Sequence, residues 1–147
     1  MERLTWCKQK IRLTQPNKNL SEEYLQKAER ALDATNSLQD NQEWQVTAAY
    51  YTMYFSIYSL LIRAGIQSEI HACTIELAKK FSLTKEEILL IETAQKARVD
   101  LQYYTDRVHD EAQTIIQEAP KILLRCEEIH NTLNEQTIQE IRKQLQT

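Results

Sequence analysis

The stretch KARVDLQYYTDRVHDE, residues 96–111, collects groups able to handle phosphates and protons: Arg98, Asp100, Tyr103, Tyr104, Asp106, Arg107 and His109. A guanidinium presents a fixed cationic fork to a phosphate, an imidazole exchanges protons near neutral pH, and a phenol donates a hydrogen bond. The stretch spans the end of one expected helix and the start of the next, where side chains converge on solvent. Two arrangements fit it. One is a salt-bridged corner, with Arg98 on a carboxylate and Asp106 capping the later helix; the other is a contact site.

Other chemistries find less support. His71, His109 and His130 lie far apart in the sequence, and Cys73 falls about 200° round a helix from His71, so neither a metal site nor a cofactor is expected. The single glycine, Gly65, cannot build a phosphate-cradling loop and is placed instead at a helix end, where it serves as a C-cap. Cys7, Cys73 and Cys126 are odd in number, widely separated and never in a Cys-x-x-Cys pair, which fits reduced thiols better than a disulfide framework.

The elements that must position these groups are helical. One glycine and two prolines in 147 residues leave little material for sheet turns, and strong helix formers dominate. Capping boxes read at Asp40/Glu43 and Thr84/Glu87, with Ser21 and Ser68 as further starts, give helices near 2–12, 21–38, 41–64, 69–81, 85–104, 107–131 and 134–146. The expected fold is all-α, a single domain over 1–147. Pro120 is expected to kink the sixth helix near Ile116.

The third helix, TAAYYTMYFSIYSLLIRAG at its centre, carries two apolar seams, Trp44, Ala48, Tyr51, Phe55, Tyr58, Ile62 and Tyr50, Met53, Tyr54, Ile57, Leu61. A helix apolar round most of its girth is buried, so it should be the central one. Thr52, Ser56, Ser59 and Arg63 form a stripe of close approach, for a neighbouring helix or for a second subunit. The run is too interrupted to span a membrane. Nothing along it alternates the rings with basic groups, as a base-stacking groove requires, so function is assigned to the later corner. A net charge of -3 argues against wrapping duplex nucleic acid. Arg3, Lys8, Lys10, Arg12 and Lys18 read as a solvated basic segment. The opening MERLTWCKQK has no apolar core, so no signal peptide is expected and the chain is placed in the cytoplasm.

The succession of the Ala/Tyr-rich helix, the His of SEIHACTIELAKKF, then ARVDLQYY and a long last helix resembles the HEPN domain family over about residues 20–130. The resemblance implies an antiparallel four- to five-helix bundle with short extra terminal helices. It also implies a homodimer and a toxin–antitoxin role beside a small nucleotidyltransferase antitoxin. Active members resemble one another in an Arg and a His separated by four to six residues, a pair that cleaves RNA without metal. Arg98 matches that Arg, whereas positions 103, 104 and 105 hold Tyr, Tyr and Thr. His71 matches a His common in this branch, expected to bond a neighbouring helix. Tyr103 and Tyr104 sit close to a family tyrosine that the partner modifies.

Three functions follow. The leading one is a HEPN-like binding protein that engages a nucleotidyltransferase-like partner, and nucleotide or RNA, through Arg98, Asp100, Tyr103, Tyr104, Arg107 and His71 without efficient catalysis. The second is a metal-independent ribonuclease using Arg98, with proton transfer by His109, Tyr103 or a group from a second subunit. The third is a helical scaffold.

Overall fold

The computed structural model describes residues 2–103 and 111–146. Seven helices, α1 (Glu2–Lys8), α2 (Lys18–Ser37), α3 (Gln42–Arg63), α4 (His71–Ala78), α5 (Lys85–Tyr103), α6 (Ala112–Thr132) and α7 (Glu135–Leu145), account for most of these residues. Two short strands, β1 (Arg12–Leu13) and β2 (Ile66–Gln67), pair antiparallel, Arg12 opposite Gln67 and Leu13 opposite Ile66. The fold is an antiparallel helical bundle, with α3 at its centre against α2, α4, α5 and α6. The α5–α6 corner falls outside the described residues.

Sequence patterning explains the arrangement. Tyr50, Met53, Ile57, Leu60 and Leu61 of α3 are fully buried, and Ile91, Ala94 and Ala97 of α5 and Ile115, Ala119 and Cys126 of α6 close on the same core. Helices α2 and α7 are amphipathic. Leu25, Ala28 and Thr35 are the buried side of the first, and Ile138, Ile141 and Leu145 that of the second. The Thr84/Glu87 capping box forms as expected: Glu87 Oε1 accepts from Thr84 N at 2.8 Å, and Thr84 Oγ1 from Glu87 N at 3.1 Å.

Several expectations are corrected. Helix α2 starts earlier than Ser21 because Asn17 Oδ1 accepts from Leu20 N, and α3 is capped by Asn41 rather than Asp40. Helix α4 begins at His71 without a side-chain cap. The small stripe is not open to a second subunit: Thr52, Ser56 and Ser59 are fully buried within the chain, each hydroxyl turned back onto a carbonyl of α3. Trp44, placed in a core seam, is 55% exposed in the first turn of α3. Pro120, by contrast, lies within α6 as the sequence placed it, on the exposed side of the helix.

The cysteines also differ from expectation. Cys7 and Cys73 form a disulfide, their Cα atoms 5.4 Å apart, and Cys126 is the buried free thiol. Sequence spacing holds no record of α1 lying against α4, and that packing is what brings the two sulfurs together. Gly65 ends α3 with φ +75°, beside Arg142, whose Nη1 donates to the carbonyls of Thr14, Ala64 and Gly65. One α7 side chain thereby joins the first connection to the end of the central helix.

Candidate functional site

Tyr50 and Tyr54, a helical turn apart on α3, face the start of α4. The Tyr50 hydroxyl lies 2.6 Å from Nδ1 of His71, and the His71 ring stacks on Tyr54 with centroids 4.1 Å apart. Beneath the ring, Tyr54 Oη lies 3.1 Å from Thr74 Oγ1, which donates to Ser68 Oγ at 2.9 Å. Two phenols, an imidazole and two alcohols thus fix the otherwise uncapped start of α4. Helix α5 brings in the charge: the Arg98 guanidinium lies over Tyr50, 5.0 Å from its ring centroid, and 5.6 Å from that of Tyr51. Arg98 Nη1 donates to Gln102 Oε1 at a long 3.4 Å, and Arg98 Nε is buried with no hydrogen-bond partner.

Electrostatics set the protonation of the group. Burial pushes the Tyr50 phenol far above its ordinary range, outweighing the pull of Arg98, and pushes Tyr54 up to about 12. Burial, with the positive charge of Arg98 second, holds His71 below its ordinary value, so it is neutral at pH 7. A buried phenol that keeps its proton must place it, and His71 Nδ1 is the partner within reach. Assigned on that hydrogen-bond logic, the neutral imidazole carries its hydrogen on Nε2 and presents a donor rather than a proton acceptor.

A model of the HEPN domain matches residues 21–136. This chain belongs to the HEPN domain family. No curated protein and no solved structure matched it.

In this HEPN domain the residues singled out from sequence have separate fates. Arg98 and His71 meet at Tyr50, although they lie on different helices. Tyr103 ends α5 and is 72% exposed, and Asp100 is half-buried one turn before it. Tyr104, Asp106, Arg107 and His109 lie outside the described residues. The sequence reading missed Tyr50, Tyr51 and Tyr54, which it took as core alone. The available signal was their hydroxyls, each in need of a partner on an otherwise apolar helix.

No basic group alternates with the rings along α3 itself, but cations reach the aromatic run from neighbouring helices. Lys27 of α2 lies 4.7 Å from the Phe55 centroid and 5.9 Å from that of Tyr24, as Arg98 of α5 does beside Tyr51. Tyr51, Phe55 and Tyr58 remain half-exposed between them. A second Arg–His pair is structural: His130, 4% exposed, bonds Ser21 Oγ through Nε2 at 2.7 Å and is held low in pKa by burial and then by Arg63. Among the described residues no cluster of His, Cys, Asp and Glu could hold a metal ion, and no helix is long and apolar enough to cross a membrane.

Proposed function

We propose that this HEPN protein works by binding the phosphate of a nucleotide or of single-stranded RNA at the Tyr50–His71–Arg98 group. The convergence of Arg98 and His71 on one phenol carries the reading. Arg98 supplies charge, neutral His71 supplies an Nε2 donor, and the half-exposed Tyr51 ring offers a face for a base. Because Nδ1 is taken up by Tyr50, the neutral imidazole has no free lone pair with which to remove a ribose 2′-proton. Binding without efficient cleavage is therefore favoured over a ribonuclease. The family resemblance extends the proposal to a homodimer acting in the cytoplasm as partner of a small nucleotidyltransferase in a toxin–antitoxin module.

The deciding experiment is fluorescence anisotropy of a labelled single-stranded RNA, and competition by ATP and AMP, with wild type, Arg98→Ala and His71→Ala. Each variant should weaken binding roughly tenfold or more, the scale of a hydrogen bond to a charged group, with the RNA intact throughout. Equal affinities for all three proteins would remove the site. Rapid RNA cleavage abolished by either substitution would establish the ribonuclease instead. Co-expression with a nucleotidyltransferase from the same cell, followed by size-exclusion chromatography, tests the partner.

A further inference from the structure

We infer that the Cys7–Cys73 disulfide is a redox-sensitive clamp on the binding site, holding His71 in place through α4. Cys73 follows His71 by two residues in a helix of eight, so the bridge closes within one turn of the imidazole. That helix end has no side-chain cap of its own: its N-cap residue, Ile70, accepts through its carbonyl but has no side chain to receive the first amides. What positions it is tertiary: the disulfide on one side, and the Tyr50–His71 and Tyr54–Thr74 bonds on the other.

The clamp's other arm is weakly held without the bridge. Helix α1 has only seven residues, too short to persist by itself. Leu4 of this helix is half-buried against the core, and the ion pair of Arg3 with Glu92 at 3.8 Å is exposed and weak. Both sulfurs are fully buried, so a reductant reaches them when α1 lifts from α4. A dithiol then attacks one sulfur as thiolate, forming a mixed disulfide and expelling the other cysteine as thiolate. Its second thiol closes the reductant's own disulfide and frees the first cysteine. Two electrons pass to the protein, and two protons complete the thiols at Cys7 and Cys73. With α1 released, α4 keeps its apolar face but loses the constraint beside His71.

The inference rests on the Tyr50–His71–Arg98 group being the site, but its test reads His71 with no ligand present, so the two can fail separately. The full chain, denatured without reductant, should be alkylated at one cysteine, Cys126, and at all three after dithiothreitol. NMR titration of His71 in the folded chain should then show its pKa rising toward the ordinary imidazole value on reduction, as burial and the Arg98 charge relax. His130, held by Ser21, should not move. The Cys7→Ala/Cys73→Ala variant should reproduce the reduced value while circular dichroism remains helical. Three alkylated cysteines before reductant, or superimposable His71 titrations in the two states, would overturn the clamp. So would outright unfolding of both the reduced chain and the variant, because the bridge would then be a staple of the whole fold.

Discussion

The Tyr50 hydroxyl and Nδ1 of His71 lie 2.6 Å apart, and this contact joins the centre of the bundle to the first residue of the short helix α4, where the imidazole is half-buried. The phenol is fully buried and keeps its proton, so the bond fixes both the orientation and the tautomer of His71. Removing only the oxygen tests this. Tyr50→Phe should cost about 1 kcal/mol in urea unfolding and weaken RNA or nucleotide binding, because the imidazole is then free to turn. An unchanged midpoint and unchanged affinity would show that the bond does neither.

Arg98 contributes charge, which gives its effect a distinct ionic-strength signature. Arg98→Ala should lower the slope of log affinity against log salt by about one, whereas Arg98→Lys should preserve the slope while losing part of the affinity. An identical slope in Arg98→Ala would mean that the guanidinium meets no phosphate.

Stability should depend on pH through the two lowered histidines. In the unfolded chain each titrates near 6.5, and in the fold burial, aided by Arg98 at His71 and Arg63 at His130, holds each lower. Between those values the unfolded state binds more protons, so stability rises with pH across the window and is lost as pH falls below 6.5. Urea titrations across the window should show that slope, and His71→Gln should remove part of it. A flat profile for wild type, or an identical one for the variant, would contradict the burial of these rings.

Gly65 is the position at which a single methyl group should do most harm. At φ +75° an added Cβ would fall against Thr14 O, Arg142 Nη1 and Pro16 N, two of them backbone atoms that cannot step aside. Gly65→Ala should cost roughly 3 kcal/mol, combining a left-handed backbone with the clash. Differential scanning calorimetry showing a wild-type midpoint would mean that this junction is looser than described.

Loss of the capping box should be milder. Thr84→Ala removes the oxygen that receives the Glu87 amide and should cost about 1 kcal/mol in chemical denaturation. It should leave ligand binding untouched, since α5 delivers Arg98 from its opposite end.

The order and character of the helices were legible in the sequence because they rest on local physics. Apolar spacing marks the buried faces of α2, α3 and α5, and the Thr84/Glu87 pair announces its own hydrogen bonds to neighbours three residues away. The family was legible too, through a run of residues in fixed order. The site was only half so. Arg98 and His71 could be named from their types, but their meeting depends on α4 and α5 both packing on α3, a relation between segments that no spacing along the chain encodes. The same holds for the Cys7–Cys73 bridge, for Arg63 beside His130, and for the cations that Lys27 and Arg98 bring to the aromatic helix. Periodicity identifies which face of a helix leaves water. Buried alcohols such as Ser56 can turn back onto their own helix, but the phenol of Tyr50 and the ring nitrogens of His71 and His130 reach past it, so their partners are decided only when the buried faces close.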